Sequence, residues 1–448
     1  MPTDQGRDLP RTPRTHHHRP RCGCLAGDLV AGRRRRPPAA RPEGAGRARC
    51  GAAAPTPRRH RYRLTDIGCA VTSSEPEQPV AAWPGLLAAL LRGEDLPRDQ
   101  AVAAMSDIMG GRVGPARIAG LLIGLRAKGE TASEVAAAAE AMRQAARVWP
   151  GQGGCIDIVG TGGDNSGTVN ISTLAAVIAA ACGVRVVKHG NRAASSASGA
   201  ADVLESLGLP LDASPDVAAA VADEIGLGFA FAPVFHPAMR HAAPVRRDLG
   251  VPTVFNILGP LTNPAAPAAG LIGCANARLA PVMAEVFAER DDLMIVVRGD
   301  DGWDEITPQT ATRMWISERG TVSESMLTPA DVGLEGISGA DLAGGDARHN
   351  GEVMRIALGL PRVHPEESIH ADPAAVTAVA VANAAAALAA AAAAGLANDS
   401  SGGAVPRADS TWPERIAAQV PRAHDAVASG AAGELLNRWI QRAREMVE

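Results

Sequence analysis

Cys155-Ile156-Asp157-Ile158-Val159-Gly160-Thr161-Gly162-Gly163-Asp164, with Asn170-Ile171-Ser172-Thr173 behind it, is the stretch that decides the fold. A short apolar run ends in a glycine loop, and the loop leads into an apolar segment read as a helix over Ile171–Ala181. Glycines let backbone N–H groups approach an anion closely, and a helix N-terminus adds partial positive charge. Strand, glycine loop and helix start therefore make a ready phosphate site. Taken singly the signal is weak, because glycine turns without a ligand are common in α/β folds. No Gly-Lys-Ser/Thr follows, so this is not a Walker loop, nor does it have the Gly-x-Gly-x-x-Gly spacing of a dinucleotide fingerprint.

Working outward, short apolar runs keep alternating with helical stretches. Strands are expected at Cys155–Val159, Val184–Val187, Gly228–Ala232 and Leu293–Val297, and a further helix at Ser195–Leu207. Such alternation argues for a mainly parallel sheet flanked by helices. From Trp83 to about Val148 the pattern is helical instead. Leu86, Leu87, Leu90 and Leu91 recur at helical spacing, Pro97 fits a first helical position, and Thr131-Ala132-Ser133-Glu134 has capping-box spacing. Four short helices are expected: one carrying Leu86 to Leu91 ahead of the break at Gly93-Glu94-Asp95-Leu96-Pro97, then Arg98 to about Met109, Pro115 to Lys128 and Thr131 to Arg147. The expected fold class is α/β: a small N-terminal helical domain (79–150, with further helices from the α/β part) and a larger α/β domain (151–448). The chain shows no internal repeat.

Residues 1–78 are a different kind of sequence. Residues 1–70 hold 16 Arg against five acids, so the net charge of −4 leaves −15 on residues 71–448. This leader is rich in Arg, Pro, Gly and Ala without apolar periodicity, and it is expected to be disordered. A nucleic-acid arm, a metal site from His16-His17-His18 with Cys22 and Cys24, or a targeting peptide are its sharp readings. Cys24 to Ala31 is too short and interrupted for a secretory signal. The plain reading is translated upstream sequence ahead of a start near Val71, which peptides from residues 1–60 in the native protein would overturn. The seven cysteines are odd in number and irregularly spaced, without Cys-x-x-Cys, which points to a reducing compartment. The alanine-rich run Ala374–Ala397 is the nearest approach to a membrane span and is read as a soluble helix or helix pair.

Two further elements join the glycine loop. Lys188-His189-Gly190-Asn191-Arg192 follows the next strand, bringing two cations, an imidazole and an amide to the strand end where open α/β sheets bind ligands. Ser195, Ser196 and Ser198 are read as opening the next helix and offering hydroxyls to a second phosphate. Asp300-Asp301-Gly302-Trp303-Asp304-Glu305 follows the strand ending at Val297. Adjacent carboxylates suit Mg²⁺, a hard cation that bridges carboxylates and substrate phosphates, although a solvated acidic turn is the usual reading of such a run.

Together these motifs resemble the anthranilate phosphoribosyltransferases, from about Trp83 to the end of the chain. The resemblance is carried by Gly160–Asp164, Asn170-x-Ser172-Thr173, Lys188–Arg192 running into Ser195-Ser196-x-Ser198-Gly199, Asp202-Val203-Leu204-Glu205, Val245-Arg246-Arg247-Asp248-Leu249-Gly250, Phe255-Asn256-Ile257-Leu258-Gly259-Pro260-Leu261-Thr262-Asn263-Pro264 and Gly302-x-Asp304-Glu305. It implies transfer of phosphoribosyl from 5-phosphoribosyl pyrophosphate (PRPP) to the amine of anthranilate, with release of pyrophosphate, in tryptophan biosynthesis. By the family's pattern Gly160, Thr161, Gly162, Gly163 and Asp164 would hold pyrophosphate and ribose, and Thr168, Asn170, Ser172, Thr173, Lys188 and Ser195 the phosphates. Ser172, Asp304 and Glu305 would ligate two Mg²⁺. Gly160, His189, Asn191 and Arg246 would receive anthranilate, with the planar fork of Arg246 facing its carboxylate. The resemblance also implies a cytoplasmic homodimer formed through the helical domain, and no general acid or base.

The chain departs from the family at Arg298, where His is usual, at Trp303, where Leu is common, and at Ala200, where Ser or Gly is usual. Arg298 puts the local geometry of the acidic loop in doubt. Two rivals share the fold: pyrimidine nucleoside phosphorylases, which carry Lys-His-Ser where this chain has Lys188-His189-Gly190, and a nucleic-acid-binding relative without activity. The −15 balance of residues 71–448 disfavours the second. No membrane partner is expected.

Overall fold

The computed structural model describes residues 81–193, 196–396 and 409–448. The expectation for residues 1–78 lies outside them, as does Ser195.

The described chain opens with helices Trp83–Leu91, Arg98–Met109, Pro115–Lys128 and Ala132–Gln144. Pro97 stands at the N-cap of the second, one position earlier than expected. The capping box forms: Thr131 Oγ1 accepts from the Glu134 N–H, and the Glu134 carboxylate accepts from the Thr131 N–H. Glu134 is buried and also takes the Leu96 N–H and the Lys128 ammonium, so one carboxylate ties three helices' ends together. These helices share an apolar core with Val245, Phe255, Ile257, Leu258, Met283 and Phe287, which lie on helices Ala243–Leu249, Phe255–Leu261 and Leu279–Glu289.

The sheet has seven strands: β1 (Ile156–Gly160), β2 (Val186–Gly190), β3 (Leu227–Phe231), β4 (Ala269–Gly273), β5 (Leu293–Gly299), β6 (Thr312–Glu318) and β7 (Thr321–Leu327). Their order is β3-β2-β1-β4-β5-β6-β7. The first five strands run parallel; β6 and β7 are an antiparallel extension. Strands β4, β6 and β7 were not expected. Helix Pro373–Ala393 is long and apolar enough to cross a membrane, yet most of it is buried inside the protein. It is a single helix packed on helix Ile171–Ala181 and on β4. Its alanines allow that close approach, since burial of small side chains brings backbones together at little entropic cost.

Candidate active site

Strands β1, β2 and β5 end at Gly160, Gly190 and Gly299, at the same edge of the sheet. Three loops leave from that edge. The glycine loop turns through positive φ at Gly162 and Gly163 (69° and 81°), which a residue with Cβ rarely adopts. Its Thr161 N–H donates to the Gly273 carbonyl at 2.9 Å, and Thr161 Oγ1 accepts from the Ala275 N–H at 3.3 Å. The Asp164 carboxylate accepts from Ser166 N–H at 3.2 Å. Thr168 bridges to Ala343 and its hydroxyl meets Ser166 Oγ at 3.1 Å. Asn170 stands at the N-cap of helix Ile171–Ala181 without capping it. Its amide donates to the Ser198 carbonyl at 3.1 Å and its Oδ1 accepts from Asn350 at 2.8 Å.

The acidic loop folds back onto the glycine loop. Asp304 Oδ2 accepts from the Gly162 N–H at 2.6 Å, and the Asp164 carboxylate acts electrostatically on Asp304. Asp304 is buried and its carboxyl is pushed up to about 7, first by burial and then by the charge of Asp164. Glu305 is raised well above the usual carboxylate range, first by burial and then by Asp304 and Asp164. Lys188, also buried, feels the charge of both Glu305 and Asp304, and its Nζ donates to the Ile158 carbonyl and to Ser172 Oγ. Burial lowers Lys188 to about 8 against the pull of Asp157, Glu305 and Asp304.

Among the described residues no group of three His, Cys, Asp or Glu side chains forms a ready metal cage. Mg²⁺ seldom uses one: it takes one or two carboxylates and completes its octahedron with water and phosphate oxygens. The neighbouring carboxylates, Asp304 buried and Asp164 and Glu305 half-buried, with Ser172 Oγ close to Lys188, fit that donor set.

Beyond β2, His189 Nδ1 lies 2.8 Å from the Gly259 carbonyl, and its ring sits 5.0 Å from that of His236. Burial holds His189 down to about 3, so the ring is neutral at physiological pH. Asn191 Oδ1 accepts from the Arg192 N–H at 2.8 Å, which shapes the loop rather than leaving the amide oxygen free. The Arg246 guanidinium stands over the Phe255 ring at 5.3 Å. Thr173 Oγ1, His189 Nε2 and Ser198 Oγ are buried with no protein hydrogen-bond partner, a cost that a polar ligand would relieve.

Three features differ from the sequence reading. The helix expected over Ser195–Leu207 spans Ala200–Ser206, so Ser196 and Ser198 lie in the loop before it. The reason is Asp202, whose Oδ2 accepts from both the Ala193 and Gly199 N–H groups at 2.9 Å and closes the loop. Arg298 donates to the Ala275 carbonyl at 2.9 Å and to the Gly299 carbonyl at 3.0 Å, bracing the acidic loop from behind. Gly273 was not singled out, yet an added Cβ there would overlap the Asp304 backbone carbonyl.

A family model described as "Glycosyl transferase family, a/b domain" matches residues 152–405, and one described as "Glycosyl transferase family, helical bundle domain" matches residues 84–146. The anthranilate phosphoribosyltransferase of Salinispora arenicola is 50% identical over 363 residues, covering 80% of this chain and 96% of the relative. The chain belongs to the anthranilate phosphoribosyltransferase family. Another relative in it, from Mycolicibacterium smegmatis, is 45% identical over 82% of this chain and 98% of its own. Among solved structures, the anthranilate phosphoribosyltransferase of Thermus thermophilus superposes with a TM-score of 0.68 at 39% identity, covering 80% of this chain and 99% of that one. The Saccharomyces cerevisiae anthranilate phosphoribosyltransferase in complex with PRPP and Mg shares the fold at 24% identity, with a TM-score of 0.66 and coverage of 81% and 98%.

Proposed function

We infer that this chain transfers the phosphoribosyl group of PRPP to the amine of anthranilate and releases pyrophosphate, as a step of tryptophan biosynthesis. The observation that carries the reading is the contact between the glycine loop and the acidic loop, Gly162 N–H to Asp304 Oδ2, beside Lys188. It concentrates phosphate donors and carboxylates at one strand edge, as a metal-bound pyrophosphate requires.

In this reading Gly160, Thr161, Gly162, Gly163 and Asp164 hold pyrophosphate and ribose. Thr168, Asn170, Ser172, Thr173 and Lys188 hold phosphates, joined by Ser195 from outside the described residues. Ser172, Asp304 and Glu305 hold Mg²⁺, two ions per site, which neutralise charge on the departing pyrophosphate. Loop N–H groups and the Lys188 ammonium act on the same charge. Gly160, His189, Asn191 and Arg246 receive anthranilate, its carboxylate on Arg246. An aromatic amine is nucleophilic without a strong base, so positioning dominates the rate. Residues 79–150 and 151–448 would be the helical and transferase domains. The protein would work in the cytoplasm as a homodimer through the helical domain; the free, buried Cys155, Cys182 and Cys274 suit a reducing compartment.

The test is pyrophosphate release from PRPP by the full-length protein. Release that requires both anthranilate and Mg²⁺ is expected. Phosphate-dependent cleavage of a pyrimidine nucleoside, with no such release, would overturn the reading in favour of a phosphorylase.

A further inference from the structure

Asp157 is a charged residue within β1 and is fully buried, yet no part in binding PRPP or anthranilate falls to it. Its Oδ1 accepts from the His189 backbone N–H at 3.3 Å, and its Oδ2 accepts from the Asn263 side-chain amide at 2.8 Å. The same Asn263 nitrogen donates to the Val187 carbonyl at 2.8 Å, and Asn263 Oδ1 accepts from the Ala265 N–H at 2.9 Å. Every polar atom of the Asn263 side chain is thus engaged, and through it the segment following helix Phe255–Leu261 is tied to β1 and β2 together. The acceptors of both histidines lie just ahead of Asn263. The Gly259 carbonyl faces His189 Nδ1 at 2.8 Å and the Thr262 carbonyl faces His236 Nε2 at 3.0 Å.

A backbone carbonyl can only accept, so the ring nitrogen that faces it carries the hydrogen. In a neutral His189 the lone pair then falls on Nε2, which is the buried atom with no partner in the protein. The tautomer is set by where Gly259 is held, as a metal-binding histidine's tautomer is set by the acceptor behind it.

We propose that Asp157 and Asn263 are positioning residues for the acceptor substrate: by clamping the Gly259 carbonyl against β2 they fix His189 as the Nδ1–H tautomer and present its Nε2 lone pair to an N–H of the arylamine. Held by one N–H, the amine has a fixed orientation, and so does the nitrogen lone pair that must face the sugar carbon. This inference rests on the reading of anthranilate as acceptor.

Nitrogen-15 NMR of the histidine ring nitrogens in the full-length protein tests it, with His189 assigned through His189→Gln. The wild type is expected to show His189 protonated on Nδ1 and bare on Nε2. Asn263→Ala is expected to give mixed tautomers and an anthranilate KM raised about three- to tenfold, the worth of one hydrogen bond, with the PRPP KM unmoved. Asp157→Asn keeps the side chain's shape and is read in parallel; it carries the test if Asn263→Ala does not fold. A merely structural role would lower Tm and leave the tautomer and the KM split untouched. Wild-type His189 protonated on Nε2, or folded variants with wild-type tautomer and anthranilate KM, would overturn the proposal. Wild-type turnover of anthranilate is the control: its absence sinks the activity reading, whereas turnover with unaltered variants sinks this inference alone.

Discussion

The backbone N–H of Gly162 donates to Asp304 Oδ2 at 2.6 Å, a direct hydrogen bond that joins the glycine loop to the acidic loop. The same aspartate limits what its neighbours can be, because an added Cβ on Gly160 would overlap its carboxylate and one on Gly273 its backbone carbonyl. A flexible side chain could yield; a backbone carbonyl cannot without displacing the loop.

Gly273→Ala is therefore expected to leave a folded protein with a misplaced acidic loop. A shift of about 1 Å at a reacting site costs on the order of 100-fold, so kcat/KM for PRPP should fall by about that much. The Mg²⁺ concentration needed for half-maximal rate should rise with it. Steady-state kinetics at graded Mg²⁺, with circular dichroism as the folding check, measure both. Wild-type kinetics in this variant would show that the two loops are not coupled.

Arg246→Ala addresses the acceptor side. The guanidinium is stacked on Phe255 and largely withdrawn from solvent, which disfavours its charge and leaves it suited to a carboxylate partner. Losing a charge-assisted pair should raise the anthranilate KM roughly tenfold to a hundredfold while the PRPP KM stays near the wild-type value. Initial rates with each substrate varied in turn make the check. The reverse pattern would move the acceptor site elsewhere.

Most of the parallel sheet was legible in the sequence because β1, β2, β3 and β5 are short apolar runs, three of them followed by glycine, histidine or acidic loops. Strand β4, Ala269–Gly273, was missed: two of its five residues are glycine, which disguises a strand, and here the small residues make room for Asp157 and Asp304. Strand β7 carries exposed polar positions that read as loop, and in β6 the polar Thr312, Arg313, Ser317 and Glu318 leave an apolar run of only three buried residues, Met314 to Ile316. The helix start at Ala200 was missed because it depends on a contact across the turn, Asp202 to Ala193, that no local propensity encodes. The candidate site residues were legible as motifs, but their grouping was not. Asp157 and Asn263 lay within quoted motifs and looked like ordinary strand and turn residues, since only the fold brings them to 2.8 Å.

Asp157 also sets a pH dependence of stability. Its carboxyl is raised from 3.8 to about 6, first by burial, against the pull of Lys188 and Asn263. A carboxyl raised in the folded state binds its proton more readily there than in the unfolded chain. Folding therefore carries a penalty above pH 6 that is relieved as pH falls toward 4. That shift corresponds to a few kcal/mol, on the order of 3 at full ionisation. Relative to Asp157→Asn, which has no such group, the wild type should gain stability between pH 7 and about pH 4. Urea unfolding of both proteins across that range reads the difference. A constant difference would mean that Asp157 is ionised throughout.

Arg298 braces the acidic loop through Ala275 and Gly299. Arg298→Met removes both bonds while keeping much of the apolar stem, and should raise the Mg²⁺ requirement roughly tenfold or less, as expected for two ordinary hydrogen bonds. Arg298→His can restore one of them and should fall between. Rates measured against Mg²⁺ at saturating PRPP decide it; a Met variant identical to wild type would show that the loop is held without Arg298.

The central claim is that the cluster around Gly162, Asp304 and Lys188 presents Mg²⁺-bound PRPP to anthranilate. Its most direct test is the loss of anthranilate fluorescence on mixing the full-length protein with PRPP. The account predicts loss that needs both PRPP and Mg²⁺, stops on chelation, and is matched one for one by pyrophosphate. Folded protein that leaves anthranilate fluorescence unchanged in the presence of both would contradict it.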